Sequence, residues 1–187
     1  MQFLERFGNI RQVEYLDTSE LKRLLSVAHK SNKQHHLALL VALRHGARVS
    51  EIVSLKGSDI QDGQLNLRRL KKSKATIHPV YKDSNPIFDE SPLIKLAKQA
   101  GDKRIFNFSR QRVDQFIKKY ANEAGIHPNK AHAHALKHSC AMLLWDKTHS
   151  LGQIQGYLGH KAASSTMCYL AEADKRKAEK VMANFDF

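Results

Sequence analysis

Apolar residues recur at helical spacing along the first part of the chain, interrupted by short polar stretches. The polar segment from Asp17 to Glu20 matches a capping box, with Asp17 as the N-cap and Glu20 at the third helical position. It predicts a helix that runs to about His29. The apolar residues between Leu37 and Leu43 predict a buried second helix, which Gly46 is expected to end.

The pattern changes after a short third helix, which is predicted over residues 49–55. Apolar residues at positions 65 and 67, and again at 77 and 80, flank a polar turn over Lys71–Lys74. This arrangement predicts a β-hairpin with a basic tip. Pro79 has no backbone donor, so the end of the second strand is expected at a sheet edge or a strand terminus.

Helical spacing returns in the second half of the chain. Helices are predicted over residues 92–99, 110–123, 133–145, 151–158, 162–170 and 173–182. The expected fold class is therefore mainly α with a small antiparallel β-sheet, that is, α+β. The 187 residues suit a single domain that can bury a core without disulfide or metal cross-links.

Charge points to the class of partner. Lysine and arginine number 31 against 18 acidic residues, a formal net charge of +13. A surplus of this size favours nucleic acid ahead of an anionic membrane surface, although a merely basic protein remains open. No apolar run approaches the roughly 18 residues that span a bilayer, and no clean amphipathic helix suited to a membrane surface is seen, so no membrane association is expected. The two cysteines, Cys140 and Cys168, argue against a disulfide scaffold and favour the cytoplasm.

Common enzyme motifs are missing from the sequence. It has no glycine-rich phosphate loop, no paired CxxC and no HExxH. His132, His134 and His138 suggest a metal site at first, and the last two share a helix face. Apart from Cys140, no acidic residue or cysteine lies nearby in sequence to complete a ligand set, so no metal is expected.

Four separated segments carry a set of groups suited to phosphoryl transfer. They are centred on Arg48 with Glu51, on His134 with Lys137, on His160, and on Tyr169 nine residues after His160. Fixed cations and imidazoles stabilise the charge that develops on a phosphodiester under attack. A phenol, with an ordinary pKa of about 10, needs a base or a positive field to act as the nucleophile.

In order and spacing, these segments resemble the tyrosine recombinase family, also called phage integrases. The family pattern is Arg, then His-x-x-Arg, then His or Trp, then Tyr, and the resemblance covers about residues 15–175. It implies a tyrosine recombinase catalytic-domain fold over residues 1–187, with 176–187 as a C-terminal tail. The N-terminal core-binding domain that family members usually carry is expected to be absent, so the sequence would be either an excised fragment or a single-domain member.

The resemblance also implies catalytic roles. Arg48 would clamp the scissile phosphate bidentately, and His160 would donate to a non-bridging oxygen. His134 would donate to, or accept from, a phosphate oxygen or the nucleophile. Tyr169 would attack the phosphorus and form a 3′-phosphotyrosyl intermediate.

Further residues would support that chemistry. A lysine at the hairpin tip would protonate the leaving 5′ oxygen, and counting back from Pro79 favours Lys71, with Lys72 nearly as good. Glu51 would orient Arg48 or a neighbouring histidine, and His138 is a second supporting residue. The resemblance implies no metal and no cofactor.

Lys137 departs from the family pattern, which has arginine at this position. Lysine keeps the charge but loses the planar two-pronged fork, so it cannot grip two oxygens at once. We therefore hypothesise reduced rather than absent activity, and expect Lys137→Arg to raise cleavage.

Double-stranded DNA is the expected partner, bound by a homotetramer, with a monomer allowed in the free state. The activity expected is site-specific recombination (an integrase) for a mobile element, phage or inversion system. The alternatives are a DNA-binding relic, a type IB topoisomerase-like relaxing enzyme and a non-enzymatic nucleic-acid-binding protein. Phe185 and Phe187 are hypothesised to dock on a neighbouring protomer. Backbone phosphate contacts are predicted for Arg68, Arg69, Lys74, Arg110 and Arg112.

Overall fold

The computed structural model describes residues 14–69, 73–167 and 169. Within these ranges the helices are α1 (Thr18–Ser31), α2 (Lys33–Arg44), α3 (Val49–Ser54), α4 (Pro92–Ala100), α5 (Arg110–Glu123), α6 (Ala133–Thr148) and α7 (Leu151–Leu158). Short 3₁₀ helices cover Gly57–Asp59 and Pro128–Lys130. Residues 164–167 are also helical.

A small antiparallel sheet interrupts the helices. Its strands are β1 (Ile60–Gln61), β2 (Gln64–Leu67) and β3 (Thr76–Pro79), paired in the order β1-β2-β3. The β2–β3 pair is the predicted hairpin, with Leu65 opposite His78 and Leu67 opposite Thr76. The two-residue strand β1 was not predicted from the sequence, because so short a segment carries no alternation to recognise.

The predicted capping box at the start of α1 is confirmed. The Glu20 amide donates to Asp17 Oδ1 at 2.8 Å, and the Asp17 amide donates to Glu20 Oε2 at the same distance. The apolar side chains of α1 then fall on one face, which packs against α2. This face anchors the N-terminal part of the core.

Helix α2 is the centre of the main core and contacts both α1 and α6. Leu39, Leu40 and Val41 are fully buried although they are consecutive, so α2 is covered on nearly all sides. A second apolar cluster joins α6 and α7 through Cys140, Ile154 and Leu158, and Tyr169 packs into it. The nucleophile candidate is therefore attached to the core through the α6–α7 pair.

The α+β fold class is confirmed, and the predicted helices between residues 18 and 158 lie within a few residues of the observed ones. The predicted helix over 173–182, Phe185, Phe187 and Cys168 lie outside the described residues. In the described part of the chain, no helix is both long enough and apolar enough to cross a bilayer. The same residues include no group of three His, Cys, Asp or Glu side chains that could hold a metal ion.

Candidate active site

The turn after α2 sets the position of Arg48. Gly46 has a φ of 55°, and a side chain there would overlap Leu158 of α7, so glycine is required both by conformation and by close packing. The turn places Arg48 immediately before α3, whose first residue is Val49. The first arginine segment is thus fixed between α2, α3 and α7.

Glu51 holds Arg48 at two points. Its Oε2 accepts from the Arg48 amide and its Oε1 from Arg48 Nη1, both at 2.9 Å. Arg48 Nη2 also donates to Ser73 Oγ in the hairpin at 3.3 Å. Glu51 is buried, whereas the Arg48 side chain keeps 22% of its surface exposed. The guanidinium is therefore oriented from behind and accessible to an anion from the front.

Lys137 lies on α6 and points into the same region. Its Nζ donates to the Gly46 carbonyl at 3.0 Å, and the residue is 4% exposed. Burial, followed by the charges of Arg69 and Arg48, lowers the pKa of Lys137 from 10.5 to about 8. A phosphate placed next to Lys137 would raise this pKa again and so favour the charged form of the side chain.

His160 is brought to the hairpin by the end of α7. Gly159 has a φ of 66°, and a β-carbon there would overlap the carbonyl oxygen of Lys74. The close approach lets the Lys74 amide donate to the Gly159 carbonyl at 2.8 Å, and a β-bridge joins Ser73 to His160. His160 Nδ1 is 2.9 Å from Thr166 Oγ1, which fixes the ring.

Three rings complete the cluster around Tyr169. The Tyr169 ring stacks on His160 with centroids 6.5 Å apart and meets His138 edge-on at 5.6 Å. His138 in turn meets His134 edge-on at 5.6 Å. Tyr169 is only 3% exposed, so its ring is covered by these neighbours and by the α6–α7 core.

The imidazoles of the cluster are held in their neutral form. The pKa of His160 and of His138 is lowered to about 4 each, mainly by burial, and the charge of Lys137 contributes to both shifts. The pKa of His134 is lowered by desolvation and then by Lys137, although this residue is exposed to solvent. Neutral imidazoles can donate to or accept from a phosphate or a phenol near neutral pH.

The prediction that Arg69 contacts a DNA phosphate is wrong. Its side chain is 0% exposed and its guanidinium bonds to the protein at every nitrogen. The signal was present in the sequence, because Arg69 continues the inward alternation of Leu65 and Leu67. The basic composition of the segment hid that alternation.

The other predicted phosphate contacts are on the surface. Arg68 is 75% exposed in its side chain and forms an ion pair with Asp59 at 3.2 Å. Lys74, Arg110 and Arg112 are exposed as well. Their role as DNA contacts stays a prediction. Lys71 and Lys72, the candidates for the general acid, lie outside the described residues.

Sequence reasoning missed a buried polar network beside the site. His45 lies between His78, at 3.1 Å between Nδ1 atoms, and Glu90, at 3.1 and 3.2 Å from its Nε2. His78 also stacks on Tyr157, with ring centroids 4.1 Å apart. These residues are separated by up to 112 positions, and no local pattern links them. Only the fold brings them together.

Comparison with known proteins identifies the family of the chain. The phage integrase family matches residues 14–176. The type 1 fimbriae regulatory protein FimE of Escherichia coli K12 is 28% identical over 176 residues, covering 88% of each chain. The tyrosine recombinase XerA of Thermococcus kodakarensis is 30% identical over 166 residues, covering 82% of this chain and 56% of its own.

Solved structures share the fold. A XerH site-specific recombinase in a post-cleavage complex with palindromic difH has a TM-score of 0.74 at 21% identity, covering 93% of this chain and 54% of that one. A λ integrase tetramer on a Holliday junction has a TM-score of 0.63 at 24% identity, covering 82% and 47%. The chain thus spans about half of the Xer and λ proteins, but most of FimE. It belongs to the phage integrase family of tyrosine recombinases.

Proposed function

We propose that this protein is a site-specific DNA recombinase that cuts and rejoins double-stranded DNA through a covalent bond to Tyr169. The observation that carries the proposal is the charge balance of the pocket. Arg48, Arg69 and Lys137 converge on Gly46 and Glu51, and Glu51 is a carboxylate that pairs with both arginines. Three cations against one anion leave a net positive, half-buried site that a phosphodiester would neutralise.

The pocket also supports the proposed division of labour. Arg48 presents a partly exposed guanidinium to the phosphate, and its prior orientation by Glu51 and Ser73 reduces the reorganisation needed on binding. His160, engaged by Thr166 through Nδ1, would donate from Nε2 to a non-bridging oxygen. Lys137 would neutralise the same phosphate as a point charge.

The cleavage step follows from these groups. The Tyr169 oxygen attacks phosphorus, its proton passes to neutral His134, and the bond from phosphorus to the 5′ oxygen breaks. Lys71 or Lys72 protonates that leaving oxygen. In the reverse direction, a 5′ hydroxyl attacks the phosphotyrosyl phosphorus and the phenol regains its proton. The bond energy is conserved throughout, so rejoining requires no nucleotide cofactor.

Tyr169 must become accessible before it can attack. It is 3% exposed and packs against His138 and His160, and His160 is also a proposed phosphate contact. We propose that DNA binding separates these rings and presents the phenol. Assembly into a tetramer on two duplexes would couple this step to pairing of the sites, and a λ integrase tetramer provides the structural precedent.

Reduced activity relative to arginine-bearing relatives is the second part of the proposal. Lys137 donates to the Gly46 carbonyl, and at a pKa of about 8 a large fraction of it is uncharged at mildly alkaline pH. Both features weaken a phosphate clamp. If cleavage were lost completely, the protein would bind its sites without cutting them.

The proposal is tested by covalent capture. The protein is incubated with a pool of nicked duplexes of random sequence, and complexes that survive denaturation are isolated and their DNA sequenced. We expect an adduct enriched in one sequence with the native protein, and none with Tyr169→Phe. Sequence-selective binding without an adduct would instead favour the relic.

A further assay separates recombination from relaxation. The captured site is placed on two plasmids, and joined products are scored beside supercoil relaxation. Joined products that depend on both sites support a recombinase. Relaxation alone, at one site, would favour the topoisomerase-like alternative.

A further inference from the structure

Arg69 is bonded to the protein through every nitrogen of its guanidinium, and none of these described partners is a side chain proposed to contact DNA. Its Nη1 donates to the Gly46 carbonyl at 3.0 Å and to Glu51 Oε2 at 3.2 Å. Its Nη2 donates to the His45 carbonyl at 2.7 Å, and its Nε to Thr76 Oγ1 at 3.0 Å. All three nitrogens of the guanidinium are therefore engaged in the protein interior.

The partners of Arg69 are the segments that position the candidate catalytic groups. His45 and Gly46 form the turn that leads into Arg48, and Glu51 is the carboxylate that orients Arg48. A longer contact of 3.4 Å, from Nη2 to the Tyr157 carbonyl, reaches the end of α7 just before His160. One side chain thus links the α2–α3 turn, the hairpin and α7.

Only an arginine can make this set of contacts. Its planar guanidinium carries five donors in fixed directions, whereas lysine has one nitrogen and a different reach. Burial of a cation is costly, and one carboxylate shared with Arg48 offsets only part of that cost. The cost is explained if the buried charge acts on the phosphate pocket.

We propose that Arg69 is a positioning residue for DNA cleavage, which sets the Arg48–Glu51 pair and the His160 segment and adds a fixed positive charge behind the phosphate. This inference rests on the proposed function. Arg69 does not contact DNA, so it acts on the rate of cleavage rather than on DNA affinity.

Two substitutions at position 69 separate position from charge. Arg69→Gln removes both the charge and the fork, and we expect single-turnover cleavage of the captured site to fall roughly 100-fold, with DNA affinity changed less than about three-fold. Arg69→Lys keeps the charge but loses the planar guanidinium, so its cleavage rate should lie between those of Arg69→Gln and the native protein. The matched control is Arg104→Gln, an exposed arginine that is not among the proposed DNA contacts, which should cleave at the native rate.

A pH profile supplies a readout that a merely structural residue would not move. Arg69 is one of the charges that lower the pKa of Lys137 and of His160. Both pKa values should rise in Arg69→Gln and stay near their native values in Arg69→Lys. The change at His160 can be measured by NMR titration. Thr76→Val loses only the Nε contact, so it tests the same idea with little risk to folding and should cleave several-fold more slowly.

The outcomes are distinguishable. Cleavage by Arg69→Gln and Thr76→Val at the rate of Arg104→Gln would overturn the inference and leave the proposed function intact. Equal losses of DNA affinity and cleavage would also overturn it, because they indicate a binding role. Failure of the native protein to form an adduct would instead overturn the proposed function, and the catalytic role of Arg69 with it. If Arg69→Gln does not fold, Arg69→Lys and Thr76→Val decide the matter.

Discussion

The two faces of the β2–β3 hairpin give neighbouring arginines opposite environments. Arg68 projects from the outer face with 75% of its side chain exposed, and Arg69 projects inward with none exposed. Arg68 has one surface ion pair, while Arg69 is bonded at all its nitrogens. The comparison teaches that a net charge of +13 includes two kinds of cation, exposed ones on the surface and buried ones that are bonded to the protein beside the pocket.

Removing the carboxylate of the interior group should have the largest effect. Glu51→Gln leaves Arg48 and Arg69 without their shared anion, so we expect a loss of about 3–5 kcal/mol in unfolding free energy by urea titration. The matched surface control is Asp114→Asn, which breaks an exposed pair with Lys118. That change should cost no more than about 0.5 kcal/mol, and similar losses for both would erase the distinction between interior and surface cations.

Acid should destabilise the interior next. The folded-state pKa values of His78, His138 and His160 are lowered from 6.5 to about 4, mainly by burial. Below pH 6.5 the unfolded chain binds these protons before the folded one does, so stability is complete above 6.5 and is lost as pH falls toward 4. We expect roughly 4–6 kcal/mol less unfolding free energy at pH 5 than at pH 7, measured by urea titration. A flat profile would contradict burial of these imidazoles.

The exposed arginine should affect binding alone. Arg68→Gln is predicted to weaken DNA binding about 3- to 10-fold across sequences and to lower the slope of log affinity against log salt by about 1. Its stability and single-turnover cleavage at saturating protein should match the native protein. An unchanged salt slope would remove Arg68 from the set of phosphate contacts.

The smallest effect is expected for Lys137. Because its charged form is required and its pKa in the folded protein is about 8, cleavage at subsaturating protein should fall as pH rises through 8. In Lys137→Arg the fall in cleavage should occur at a higher pH, so cleavage at pH 8.5 should be a few-fold faster than in the native protein. Single-turnover assays measure this difference. Lower cleavage by Lys137→Arg at every pH would show that lysine is not a weakened clamp.

Much of the fold follows from local patterns. The capping box at Asp17, the helical spacing of α2 and the turn at Gly46 each depend on residues close in sequence, and the structure confirms all three. The four candidate site segments could also be placed in order, because the family pattern links them. Their roles in catalysis stay predictions.

The remainder depends on contacts distant in sequence. The bond from Lys137 to the Gly46 carbonyl spans 91 positions, and the bond from Arg69 to the His45 carbonyl spans 24. Such pairs follow from the packing of α6 and the hairpin against the α2–α3 turn, which no local rule specifies. Arg69 illustrates the difficulty. The strand alternation indicated that its side chain is buried, whereas its charge suggested a contact with DNA phosphate.

The most direct test of the account is the site of covalent attachment. The captured protein–DNA complex is digested with nuclease and trypsin, and the peptides are mapped by mass spectrometry. Residues 162–175 form one tryptic peptide, in which Tyr169 is the only tyrosine. We expect a nucleotide phosphate on Tyr169 in that peptide. Attachment to any other residue, or captured DNA with an unmodified Tyr169, would contradict it.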